Sequence, residues 1–277
     1  MLQNDKKNIR PPAVAGMFYD ESPAILRNCI AGFLDRAYVP KLNGTVRAVV
    51  SPHAGYVYSG FTAAHSYKAI EGNKYDCVIV VGPSHREFFD GISIYPGDAY
   101  ETPLGTIPIN KEVREELLNE KQSIIASNAG HGGEHSIEVQ MPFLQSVLGD
   151  LSFVPMVMGD QRSELCSLLT GALARVAKDR NILLVASSDL SHFHPYNEAV
   201  KMDNHVVDGL KGFDPENFVS DLEEDKFEAC GGGPIAAVMG AAKKLGASRT
   251  EILHYCNSGD ITGDKSGVVG YIAAAFL

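Results

Sequence analysis

Six short apolar runs, each closed by Gly, Pro, Ser, Asp or a polar turn, do most to limit what this chain can fold into. They are VRAVVS (46–51), DCVIVVG (76–82), LSFVPMVM (151–158), NILLVASS (181–188), EILHYC (251–256) and GVVGYIAAAF (267–276). Their length and β-branched content mark them as strands. Nearly every residue in them is apolar, with little inside–outside alternation, so both faces must be covered. Strands of a parallel sheet between helices read this way. Helix-period segments fall between them, at 22–37, 60–72, 111–119, 135–148, 161–178, 196–210, 215–224 and 233–245. The order predicts an α/β fold, with a mainly parallel central sheet flanked by helices. The stretch DGISIYPGDAYETPLGTIPI (90–109) breaks the pattern with short alternating segments, which predicts a small antiparallel excursion at a sheet edge. No repeat, low-complexity tract or linker divides the chain, so residues 1–277 are read as one domain. With 45% apolar content it can bury a large core without disulfides.

Charge and cysteine usage remove several function classes. A formal net charge of −10 argues against a protein built around phosphate backbones, because such binding draws on Lys and Arg. The amino-terminal stretch MLQNDKKNIRPPAVAG has no signal-peptide apolar core, and no segment approaches the roughly 18 apolar residues of a membrane span. The expectation is a cytoplasmic protein that engages neither nucleic acid nor membrane. Five widely spaced cysteines suit reduced thiols better than a disulfide framework.

Ligands of open α/β sheets bind beyond the carboxyl ends of the strands, so the residues just past each strand are candidates for a site. These are His53, His85, Asp189, His192 and His194, then Cys256, Asn257, Ser258 and Asp260. His65 and His205 lie inside predicted helices, where packed or surface imidazoles are the ordinary expectation. In GHGGEHSIEVQMPFL (130–144), Glu134 and His135 open a predicted helix, as an acid/base pair or as a cap. Cys230 precedes the glycines that open another helix, where exposed amides would favour thiolate; an inert buried thiol is the alternative. Two imidazoles, with His53 and His85 on neighbouring strand ends, plus one anionic donor would leave positions open on a metal. No HExxH, CxxC or GxSxG pattern points to a zincin, zinc ribbon or serine hydrolase.

The segments PPAVAGMFY, SPHAGYVYSG, VGPSH, TPLGTIPI, EHSIEVQMPFL, SSDLSHF, CGGGPI and SGDITGDKSGVVGYIAAAF, in this order, resemble the Memo family, component B of the AmmeMemoRadiSam system. The resemblance spans about residues 11–277. It implies a fold similar to class III extradiol dioxygenases, with metal ligands at His53, His85 and Cys230. Asp189 and His192 match further pocket positions, and Tyr56 and Tyr58 are expected to line the pocket. The implied cofactor is a metal ion, iron or copper, with zinc also compatible. The implied activity is that of a metal-dependent oxidoreductase or dioxygenase on an unknown small molecule, with His135, Asp189 and His192 as acid/base groups. A thiolate in place of the dioxygenase carboxylate speaks against extradiol ring cleavage. The alternative is a non-enzymatic binding module for a phosphorylated or anionic peptide. The system's composition further implies radical-SAM and AMMECR-type partner proteins.

Overall fold

The computed structural model describes residues 7–120 and 123–277; residues 1–6 of the amino-terminal stretch read above lie outside them. In chain order the elements are β1 (Ile9–Arg10), α1 (Pro23–Arg36), β2 (Ala48–Ser51), α2 (Tyr56–Lys68), β3 (Cys77–Pro83), β4 (Ile92–Ile94), β5 (Ala99–Thr102) and β6 (Gly105–Pro108). Next come α3 (Lys111–Glu120), β7 (Ile124–Ala126), a 3₁₀ turn (Glu138–Gln140), α4 (Met141–Leu148), β8 (Phe153–Met158), α5 (Ser163–Val176) and β9 (Ile182–Ser187). The chain ends with β10 (His192–His194), α6 (Tyr196–Gly212), α7 (Pro215–Glu223), α8 (Gly232–Lys244), β11 (Thr250–Asn257), α9 (Ser258–Thr262) and β12 (Val268–Phe276).

All six predicted strands form, and with β4, β7 and β10 they build one nine-stranded sheet among the described residues, with the path β10-β12-β2-β9-β3-β8-β4-β7, β11 pairing with β12. Its centre, β2-β9-β3-β8, is parallel. Both flanks turn antiparallel, through β12 on one side and β4 on the other. The central strands are buried on both faces, as their unbroken apolar character requires. Alternate residues serve opposite layers. Ala48, Val50, Ile79, Val81, Leu184 and Ala186 pack with α3 and α5 to α8. Val49, Val78, Val80, Leu183 and Val185 pack with α1, α2 and α4. The expected excursion at 90–109 splits in two. β4 joins the main sheet, whereas the β5–β6 hairpin pairs with β1 in a separate three-stranded sheet.

Two helix starts differ from the periodicity. The helix expected at 60–72 begins at Tyr56, capped by Gly55. Gly60 lies inside it because a Cβ there would come within 2.7 Å of Phe33, where α1 packs against α2. The helix expected at 135–148 is α-helical only from Met141, since residues 134–137 form a turn around the Glu134 carboxylate.

Candidate metal centre

Ser51, Pro83 and Ser187 are the last residues of β2, β3 and β9, and His53, His85 and Asp189 each lie two residues further on. The two histidine strands are not neighbours: β9 runs between them, so the Asp189 loop sits between the histidine loops. Asp189 Oδ1 accepts from the His53 backbone N–H at 2.8 Å, tying two of the loops together. Across β3, the Glu134 carboxylate accepts from the His85 backbone N–H (2.6 Å) and Nδ1–H (2.9 Å), and from the amides of His135 and Ser136 (both 2.9 Å). A residue 49 positions away thereby orients the His85 ring.

One ring nitrogen from each of His53, His85 and His135 lies within 4.8 Å of the others. The His85 and His135 rings stack at 4.7 Å, and His53 meets both edge-on at 5.0 and 5.4 Å. His53 is buried, and its pKa is driven well below the ordinary value by burial, then by the neighbouring imidazoles. Burial also lowers His135 to about 4, against the opposing charge of Glu134. Burial works against the Glu134 carboxylate, but the hydrogen bonds and charge of His85 hold it well below the usual range. His53 and His135 are therefore neutral imidazoles at neutral pH, the form that binds metal.

His53 Nδ1 is engaged by Ser187 Oγ and His85 Nδ1 by Glu134, leaving both Nε2 atoms for other partners. His135 Nδ1 is buried with no hydrogen-bond partner, 3.4 Å from Glu134 Oε1. Cys230 Sγ is 3.2 Å from His53 Nε2. One ion at about 2.0–2.1 Å from nitrogen and about 2.3 Å from sulfur can touch both. The Asp189 backbone N–H points at the same sulfur, also at 3.2 Å. The donors that cluster are the nitrogens of His53, His85 and His135, one of them orphaned, and the Cys230 sulfur adjoins this cluster at His53; imidazole and thiol donors of this kind suit a transition metal.

Cys230 differs from the expectation in protonation. It lies in the turn before α8, yet burial, and next the Asp189 charge, push its thiol up, so without metal it is protonated at neutral pH. Desolvation outweighs the helix end. Burial likewise raises Asp189 to about 7, against the amide that donates to it. His192 lies close enough for its charge to act on His53, and its own pKa is lowered by burial.

Other candidates are spent on structure. His194 pairs with Glu228 at 2.9 Å. Asn257 and Asp260 form the reciprocal cap of α9, and the Ser258 hydroxyl accepts from the Val269 amide. The Cys256 thiol contacts Thr62. His65 packs in α2, stacked on His254 at 4.3 Å, and His205 is exposed on α6. Tyr56 is a core residue beneath the site, its hydroxyl donating to the Val139 carbonyl, whereas Tyr58 is exposed. Glu134's bond to His85, Ser187 and the Phe18 ring, 4.7 Å from His135, were not singled out from sequence as parts of this pocket. No local signal reports contacts made across such sequence distances.

Fold and site together define an α/β protein with a histidine cluster and an adjoining cysteine at the strand ends of a doubly covered sheet. The chain belongs to the Memo family: the family described as Memo-like protein matches residues 10–275. A MEMO1 family protein of Nitrosopumilus maritimus is 38% identical over 274 residues, covering 97% of this chain and 100% of that one. Another, from Thermoplasma volcanium, is 39% identical over 264 residues, covering 95% and 96%. A third, from Thermotoga maritima, is 36% identical over 279 residues, covering 96% and 98%. The fold is also similar to the crystal structure of the uncharacterized protein JW3007 from Escherichia coli K12, with a TM-score of 0.59 and 16% identity over 83% of this chain and 99% of that one. The helix-flanked sheet is the α/β architecture expected from the sequence. No helix among the described residues is long and apolar enough to cross a membrane.

Proposed function

We propose that this chain is a metal-dependent oxidoreductase acting on a small organic molecule, with His53, His85 and Cys230 as the metal ligands. The observation that carries the reading is the cluster of His53, His85 and His135, one nitrogen of each within 4.8 Å of the others, with Cys230 Sγ 3.2 Å from His53 Nε2. Iron or copper held there would supply electron exchange with oxygen or an organic substrate. The protein's own groups do the rest. His135, neutral at neutral pH, can accept a proton at its unpartnered Nδ1, with the Phe18 ring packed against it. Asp189, with a pKa near 7, can hold or release a proton while its backbone amide keeps the sulfur in place. His192 flanks the same pocket. The anionic-peptide reading is less favoured, because His53 and His135, kept neutral by desolvation, offer little charge to a phosphate.

The test is metal analysis of protein purified without oxygen, paired with oxygen-consumption measurements. About one ion per chain, lost in His53→Ala and His85→Ala, supports the reading. Full occupancy in both variants would remove it.

A further inference from the structure

We infer that Ser187 and Gln140 are positioning residues that hold the His53 proton on Nδ1 and thereby present the Nε2 lone pair to the pocket. The tautomer follows from the hydrogen bonds alone; only its consequence for metal affinity rests on the metal reading above.

Two backbone carbonyls in this network have roles that are not adjustable. A carbonyl can only accept, so the contact between Gln140 Nε2 and the Pro52 carbonyl (3.0 Å) fixes which end of the amide is nitrogen. The Gln140 Oε1 then receives the Tyr67 hydroxyl at 2.5 Å, and the second N–H is donated to Ser187 Oγ at 2.8 Å. The Ser136 carbonyl can likewise only accept, and it takes the Ser187 hydroxyl proton at 2.5 Å. Ser187 Oγ has now used its one proton and one lone pair. Its remaining contact, His53 Nδ1 at 2.9 Å, can be satisfied only if Nδ1 carries the proton.

Tyr67, Gln140, Ser136, Ser187 and His53 are all buried, so each of these hydrogen bonds is costly to leave unmade. The opposite tautomer would require the Ser187 hydroxyl to turn toward His53, leaving the Ser136 carbonyl without its donor in a buried setting. On its far side the ring faces Cys230 Sγ at 3.2 Å, where a thiol proton can be donated to the Nε2 lone pair. A metal ion needs that same lone pair, and the partner of the other ring nitrogen decides whether it is available. Glu134 does this for His85 with a carboxylate; the chain Tyr67–Gln140–Ser187 does it for His53 with neutral groups.

The experiment is long-range ¹H–¹⁵N correlation of histidine-labelled, metal-free full chain at neutral pH, with His53 assigned by the signals lost in His53→Ala. The wild type should show His53 protonated at Nδ1 and bare at Nε2. Ser187→Ala should move the ring toward the Nε2-protonated form, Ser187→Thr should restore the wild-type pattern, and Gln140→Leu should shift it part of the way. Zn²⁺ affinity, read by chelator competition, should fall roughly 10- to 100-fold in Ser187→Ala and recover in Ser187→Thr. Wild-type His53 protonated at Nε2 overturns the inference, whatever the variants do. An unchanged tautomer and zinc affinity in Ser187→Ala overturn the role of Ser187. A wild type with the Nδ1 proton in place that binds no zinc supports the tautomer and removes the metal reading instead.

Discussion

Glu138 is where loss of a single side chain should cost this protein most outside the pocket itself. Its carboxylate is buried and surrounded by donors: Arg10 Nη1 at 2.6 Å, the amides of Ala13 (2.8 Å) and Val14 (3.0 Å), and the Tyr19 hydroxyl at 2.6 Å. Arg10 is equally enclosed, its other nitrogens donating to the carbonyls of His131, Gly132 and Glu134. The pair thus clamps residues 10–19 against the turn that carries Glu134 and His135, and sets Phe18 on the His135 ring at 4.7 Å. Glu138→Gln keeps the shape but turns one acceptor into a donor facing donors, and leaves Arg10 a buried cation without its counter-ion. Breaking such a pair costs about 3–5 kcal/mol. That predicts a urea midpoint lowered by about 1–5 M if the slope lies in the range of about 1–3 kcal/mol/M. Arg10→Met combined with Glu138→Leu should lose less than Glu138→Gln alone, because removing both charges leaves no unpaired ion. A Glu138→Gln loss below about 1 kcal/mol, or a double variant worse than the single, would refute the reasoning.

Three further outcomes follow from the same kind of accounting. Burial lowers His131 from 6.5 to about 3, so the unfolded chain takes up its proton first. Its contribution is therefore intact above about pH 6.5 and drains as pH falls toward 3, at up to about 1.4 kcal/mol per pH unit; His131→Gln should flatten that acid limb in urea unfolding measured at pH 4 and pH 7. Gly231 lets the turn before α8 pass against β9: a Cβ there would collide with the Ser187 carbonyl and sit 2.8 Å from Ser188 Cβ. Gly231→Ala should lower stability by about 1–3 kcal/mol and weaken metal binding, as calorimetry and a metal titration can check. The Cys230 thiol, raised by burial, should alkylate slowly at pH 7 in the metal-free protein and faster at alkaline pH, with bound metal suppressing the alkaline reaction; mass-spectrometric mapping that finds rapid labelling at pH 7 contradicts this.

The strands were legible because each central strand is apolar on both faces, and nothing but a covered sheet explains such runs. The positions of His53, His85 and Asp189 followed from the rule that loops beyond strand ends gather ligands. Strand order was not legible. β9 enters between β2 and β3 through pairings such as Val49 with Val185, and periodicity carries no record of which strand lies beside which. The same blindness applies to Glu134 and Gln140: from sequence they are a helix-start acid and a helix-face amide. Their partners, His85 and Ser187, are 49 and 47 residues away. The thiolate expected at Cys230 failed for a different reason. The glycine-led helix start was visible, but the burial that overrides it is a property of the packed fold.

X-ray absorption at the edge of the bound metal reads the ligands of the ion without relying on activity. With His53, His85 and Cys230 as ligands, zinc-loaded protein should hold about one ion per chain with nitrogen scatterers at about 2.0–2.1 Å and one sulfur at about 2.3 Å, the sulfur lost in Cys230→Ser. A stoichiometrically loaded wild type whose spectrum needs no sulfur would contradict that ligand set, and so would a chain that takes up no metal at all.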